Sequence, residues 1–257
     1  MDISWFSDQN KVHRPKHIFF QLQRLVDNET YFAHSTRFPK LHQFTLRKIN
    51  AMSNDKLQRL KIIRDSSQVV NSITRPGLVI GDFENFKFLP KFSSIDLILQ
   101  KLDSNSDWKR RMSDRIVNEN PIIMHVRLGD YLTYPEIYGF IDERYYIEAL
   151  EHLRSKGVFG PLWLTSDNPE YALKIFSNKI EINEVLKTPL GLEPLQLLLT
   201  LAESRNLIIA HSTFSWWSAW VSFNRNKKAN IVMPSRFLAH EVEAKRLQVP
   251  GWHVVQV

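Results

Sequence analysis

From Pro121 onward the chain, without internal sequence repeat, alternates short, mostly apolar runs with turns and stretches of helical spacing. The runs are Ile122-Ile123-Met124-His125-Val126, Leu162-Trp163-Leu164-Thr165, Leu207-Ile208-Ile209-Ala210 and Ile231-Val232-Met233, the last closed by Pro234. Apolar runs without polar alternation suit strands covered on both faces, as in a parallel sheet. Parallel neighbours need a long crossover, and helices supply it. Helical patterns fill the gaps at 142–155, with Tyr145, Tyr146, Ala149 and Leu150 on one face, and at 192–203 and 214–223. Another reaches Phe176 from a cap at Asp167 or Asn168, with Pro169 in its first turn. The chain is therefore predicted to be α/β, a parallel sheet with helices on both faces.

Upstream the pattern is weaker. Residues 1–50 are rich in Lys, Arg, His and aromatics without a clear period and without an obvious first strand. Lys56–Ile63 fits either a short amphipathic helix or the start of a strand. Pro76-Gly77 marks a turn before Leu78-Val79-Ile80, and Asn85–Phe88 is an aromatic-basic patch. Residues 94–118 read as one or two helices broken at Asp103–Asp107, and the domain boundary is expected at 115/116. The absence of cysteine excludes disulfides, thiolate metal sites and cysteine nucleophiles. No apolar run approaches the ~20 residues of a membrane span. Met1–Ser7 lacks the basic and apolar regions of a secretory signal. A net charge of +7 favours acidic partners: nucleic acid, an anionic membrane or phosphorylated substrates.

Two strand ends carry chemistry. His125-Val126-Arg127-Leu128-Gly129-Asp130-Tyr131 leaves the first run of the sheet, and ligands of open α/β sheets bind beyond the carboxyl ends of strands. Arginine offers phosphate a planar, permanently charged fork. Alone, Arg127 reads more simply as the partner of a carboxylate, with Gly129-Asp130 a turn. The second strand end shifts that balance. His211-Ser212-Thr213-Phe214-Ser215 opens a helix whose backbone N–H groups and hydroxyls suit an anion. Its plainer reading is an ordinary N-cap worth ~1 kcal/mol, and Trp216, Trp217 and Trp220 are expected to be mostly core in either case.

Metal motifs fail in detail. His13 and His17 have helix-face spacing but flank Pro15 in a polar segment, so a solvated reading wins. His240-Glu241 meets Ala244 where a zincin needs its second histidine. Asp103-x-Asn105-x-Asp107 has Trp108 in place of the glycine of a calcium loop, and ends at Asp114. Lys109-Arg110-Arg111 reads as a solvated helix face. No P-loop and no Gly-x-Ser-x-Gly element is present.

Together the two strand-end motifs resemble those of the α-1,2-fucosyltransferases, glycosyltransferase family 11. That family carries His-x-Arg-Arg-Gly-Asp-Tyr at one strand end and Asn-Ser-Thr-Phe-Ser-Trp-Trp at the other, matched here by His125–Tyr131 and His211–Trp217. Asp142-x-x-Tyr145-Tyr146, Thr165-Ser166-Asp167 and the helix before Ser204 follow the family's order, and Gly81–Phe88 is similar to its Gly-Tyr-Phe-Gln-Ser-x-Lys-Tyr segment. The likeness covers about residues 78–235. It implies a GT-B-like fold of two Rossmann-like lobes with parallel sheets: residues 116–257 holding the GDP-sugar, and 1–115 as a shortened, incomplete acceptor-side lobe.

The resemblance also implies the chemistry. L-fucose would pass from GDP-fucose to a galactoside 2-hydroxyl of a surface polysaccharide or oligosaccharide in one inverting step, with no metal and no cofactor beyond the donor. Arg127 would hold the β-phosphate and stabilise departing GDP, with His125, Asp167, Ser212, Thr213, Phe214 and Ser215 completing the donor site. Glu193 would be the guanine partner. Glu136 is the candidate base and Asp130 its competitor, the latter favoured as an acceptor for turn N–H groups. The expected setting is the cytoplasm at the inner face of the membrane, with peripheral membrane association and no nucleic acid. Departures are Leu128 at the second arginine, His211 for asparagine, and Gln196 and Leu197 where an acid is expected. The family's opening strand and Gly-Leu-Gly-Asn-Gln loop have no counterpart, because Met1-Asp2-Ile3-Ser4-Trp5-Phe6 matches a later segment. A truncated reading frame and a variant without the loop both fit. The alternatives are therefore a catalytically inactive homologue that binds GDP-sugar weakly or not at all, and a basic nucleic-acid-binding protein.

Overall fold

The computed structural model describes residues 62–64, 78–80, 86–89, 91–104 and 106–257, in two units divided between Ser94 and Ile95. In the first unit β1 (Ile62–Arg64) pairs in parallel with β2 (Leu78–Ile80), and Phe86–Phe88 forms a single 3-10 turn. Strand therefore wins over helix for the end of the 56–63 segment. The readings at Met1–Phe6, His13, His17, Pro76-Gly77, Gly81–Asn85 and Asn105 lie outside the described residues.

The chain continues through α1 (Phe92–Leu102), α2 (Asp107–Glu119), β3 (Ile122–Val126), α3 (Gly129–Thr133), α4 (Pro135–Tyr138), α5 (Glu143–Ser155) and β4 (Leu162–Ser166). It then forms α6 (Pro169–Phe176), β5 (Glu184–Val185), α7 (Pro194–Leu201), β6 (Asn206–Ile208), α8 (Thr213–Arg225), β7 (Asn230–Pro234) and β8 (His253–Val255). Six strands make one all-parallel sheet in the order β5-β4-β3-β6-β7-β8. The chain runs outward from β3 to β5, then returns to lay β6, β7 and β8 on the other side. That is the order of the dinucleotide-binding sheet, and its switch point lies between β3 and β6. The predicted α/β class and parallel sheet are borne out.

Every residue of β3 is buried, as its unbroken apolar run requires. Ile122, Met124 and Val126 join Tyr145, Tyr146, Ala149 and Leu153 of α5 and Ala172 and Phe176 of α6 in one core. Ile123 points to the other face and is equally buried. Asn168 caps α6 by accepting the Tyr171 N–H, so Asp167 is released from that role. At the carboxyl edge the Tyr145 hydroxyl, deeply buried, donates to the Ile209 carbonyl at 2.6 Å. That contact fixes the chain just before His211.

Three expectations change. Lys109 is buried rather than solvated: its stem packs inward and its ammonium lies 2.5 Å from Asp103. The expected boundary at 115/116 falls within helix α2, and the two units part at Ser94/Ile95, within α1. Helices α3 and α4 and strands β5 and β8 were not foreseen. Gly160 is fixed by close approach to backbone: a Cβ there would stand 2.0 Å from the Asn120 carbonyl oxygen. Backbone cannot swing aside as a side chain can. Gly160→Ala is expected to cost about 2–4 kcal/mol, read as a lowered urea midpoint, and an unchanged midpoint would refute this packing.

Candidate functional site

Arg127 leaves the sheet at the switch point, and its loop is held from the neighbouring strand. Asp167, the first residue beyond β4, accepts the N–H groups of Leu128 at 2.9 Å and Gly129 at 2.8 Å. The same carboxylate lies 3.0 Å from Nη1 of Arg127. One side chain thus sets both the turn and the guanidinium, through charge-assisted bonds. Gly129 is needed here, since a Cβ would stand 2.5 Å from Oδ2 of Asp167. Leu128 points into the core and is 3% exposed. The Leu128 and Gly129 N–H groups of this turn are taken by Asp167. The side chain of Asp130 lies outside the described residues. Asp167 is a brace for the arginine loop.

Across the switch point, Ser212 is the N-cap of α8 in extended conformation, and its carbonyl accepts the Trp216 N–H at 2.9 Å. Its side chain makes no capping bond, so the hydroxyl is not used up by the helix. Thr213 is exposed at the first helical position. Ser215 behaves differently: it is buried, with Oγ within donating reach of the Ser212 and Ala210 carbonyls at 3.2 and 3.4 Å. Its hydroxyl secures the turn. Phe214 is buried with its ring 5.6 Å from that of His125. Trp216 and Trp220 are core, Trp216 donating to the Leu247 carbonyl at 2.8 Å, and Trp217 is half-buried. Their packing aims the positive end of a thirteen-residue helix at the crevice.

Two buried imidazoles flank this crevice. Among the described residues, His125 has no hydrogen-bond partner at Nδ1, and His211 has no partner in good geometry at either ring nitrogen. Burial lowers the pKa of His125 to about 4; Asp167 opposes that shift and Arg127 adds to it. Burial likewise lowers His211 to about 3, opposed by the nearby Gly139 backbone and reinforced by His125, Arg236 and Arg127. Both rings are neutral at pH 7. Tyr131 ties the two strand ends together, donating to the His211 carbonyl at 2.8 Å while its ring lies 5.5 Å from the Arg127 guanidinium and stacks on Tyr138 at 4.3 Å.

The remaining predicted residues sit further out. Glu136 is exposed on α4, a few residues beyond the arginine loop. Glu193 is the N-cap of α7, without a side-chain capping bond. Gln196 is occupied elsewhere: it accepts from the Ser106 hydroxyl at 2.6 Å and donates to Ser104, bracing the α1–α2 connection. Glu241 is structural, its carboxylate accepting the Phe237 and Leu238 N–H groups and pairing with Arg246. Among the described residues no three His, Asp or Glu side chains cluster closely enough to hold a metal, and no helix is long and apolar enough to cross a membrane. Arg236 lies two residues beyond β7, at the same edge of the sheet as Arg127.

The profile of glycosyl transferase family 11 matches residues 89–255. An α-1,2-colitosyltransferase of Escherichia coli is 26% identical over 212 residues, covering 79% of this chain and 71% of that protein. An O-antigen biosynthesis glycosyltransferase, WbnK, of Escherichia coli is 26% identical over 167 residues, covering 61% of this chain and 54% of that protein. Among solved structures, a glycosyl transferase of family 9 from Veillonella parvula has a TM-score of 0.38 at 10% identity, covering 59% of this chain and 41% of that one.

Proposed function

This chain belongs to glycosyl transferase family 11, and from that premise we propose that it transfers L-fucose from GDP-fucose to a galactoside 2-hydroxyl of a surface glycan. The observation that carries the reading is Arg127, braced by Asp167 at the switch point opposite the start of α8. In this reading the acceptor oxygen attacks the anomeric carbon as the bond to the β-phosphate breaks, and GDP leaves with the bonding electrons. Arg127 and the α8 terminus meet the growing negative charge, the part a metal plays in other sites. Glu136 takes the acceptor proton, with Asp130 as its competitor. Glu193 faces guanine, and the Ser212 and Thr213 hydroxyls hold the diphosphate. The net charge of +7 suits work at the anionic inner face of a membrane.

A colitosyl donor is the second reading, favoured by the relative named as a colitosyltransferase. Incubation with GDP-fucose and lactose, followed by mass spectrometry, tests the first. A fucosylated product with free GDP is expected. GDP binding without transfer to any galactoside would point to the inactive homologue instead. Salt-sensitive RNA binding with no affinity for GDP would favour the nucleic-acid reading.

A further inference from the structure

The carboxyl edge of the sheet carries less positive charge than a diphosphate requires. The Arg127 charge is already shared with Asp167 at 3.0 Å. His125 and His211 are neutral at pH 7. Leu128 supplies no charge and lies in the core. These groups together sum to zero, whereas the ligand is a dianion that gains charge as its sugar leaves.

Among the described residues, Arg236 is a cation placed at that edge. β7 ends at Pro234, and Ser235 is fully buried, its N–H on the Val255 carbonyl at 2.8 Å and its Oγ accepting the Val257 N–H at 3.2 Å. Arg236 follows at once. β6 and β7 run in parallel with Ile208 beside Val232; His211 lies three residues past Ile208 and Arg236 four past Val232, which brings both to the same edge. The Arg236 charge is felt at the His211 ring, disfavouring its protonated form. The backbone after it is fixed: Phe237 and Leu238 donate to Glu241 at 3.0 Å each, and the Ala239 N–H reaches the Ile137 carbonyl of α4 at 2.9 Å. Glu241 is neutralised by Arg246 and does not draw Arg236 away. Arg236 is half-buried and makes no ion pair or hydrogen bond among the described residues.

We propose that Arg236 is the second cation of the donor diphosphate site, supplied from the end of β7. The assignment rests on the donor reading above. It makes Arg236 a binding residue that contacts the phosphates and leaves the nucleoside alone.

Calorimetric titration of GDP and of guanosine into wild type, Arg236→Gln and Arg236→Lys tests it. Arg236→Gln is expected to weaken GDP roughly ten- to hundredfold, the range of a charged hydrogen bond, while guanosine affinity stays unchanged. Arg236→Lys should recover part of the loss, since it keeps the charge without the fork. Undiminished GDP affinity in folded Arg236→Gln overturns the assignment, as does an equal loss of GDP and guanosine. Should Arg236→Gln fail to fold, Arg236→Lys decides: reduced GDP with intact guanosine supports the assignment, and joint loss overturns it. Wild type that binds no GDP overturns the donor reading itself.

Discussion

Arg127→Ala is expected to lower transfer by about a thousandfold or more while the protein stays folded. The physical reason lies in what remains. Asp167 keeps the Leu128 and Gly129 N–H groups, so the turn that positions the loop survives the truncation. Its carboxylate, however, loses the guanidinium that lies 3.0 Å away. The strand end changes from balanced to net negative, and the diphosphate meets repulsion in place of a fork. That is a larger penalty than the ~10²–10³-fold loss seen when a neutral donor is deleted from an oxyanion site. Arg127→Lys should fall between the two, retaining charge but losing the bidentate geometry. GDP release under saturating acceptor, measured beside thermal unfolding, separates lost chemistry from lost fold. Arg127→Ala with a rate within about tenfold of wild type would remove Arg127 from the site.

The parts of this molecule that could be read from sequence are those whose signal is local. β3, β4 and β7 announce themselves as apolar runs because both of their faces are covered, and α5 and α6 by spacing and caps. Helices α3 and α4 gave no such signal. Gly129, Pro135 and Gly139 bound them, and Leu132, Tyr134 and Ile137 are left exposed. What holds them is tertiary: Tyr131 stacked on Tyr138, and the Ala239 N–H on the Ile137 carbonyl. β5 is two residues long and is steadied by Arg115, which bonds Glu184 from α2. The site divides the same way. Arg127 was visible from the rule of strand ends, but the role of Asp167 depends on register. Val126 lies beside Ser166, which brings the residue after β4 against the arginine loop. No spacing within either motif encodes that. Lys109 misled for a related reason, since its partner Asp103 lies across the break between two helices.

Acid should destabilise the protein through the same two histidines that flank the crevice, by about 4 kcal/mol between neutral pH and about pH 5. In the unfolded chain an imidazole titrates near 6.5, whereas burial lowers His125 to about 4 and His211 to about 3. Above the unfolded value both states are neutral and the histidines do not affect the balance. Below it the unfolded chain takes up protons that the folded chain refuses, so stability is lost as pH falls, until it passes the folded values. At about pH 5 each ring contributes about 2 kcal/mol to that loss. His152, lowered chiefly by burial and further by His253 and Lys156, adds a smaller loss of the same sign, since it is half-exposed. Carboxylates held low by partners, such as Asp142 on Arg144 and Glu184 on Arg115, act later. Their contribution is present above the unfolded carboxylate pKa and lost only below it, so the window from neutral pH to about pH 5 isolates the histidines. Urea unfolding across that window should show the full slope in wild type and about half of it in His211→Asn. An identical slope in the two proteins would mean that His211 is not held neutral in a dry site, and the crevice would then be open to water at the very end where α8 begins.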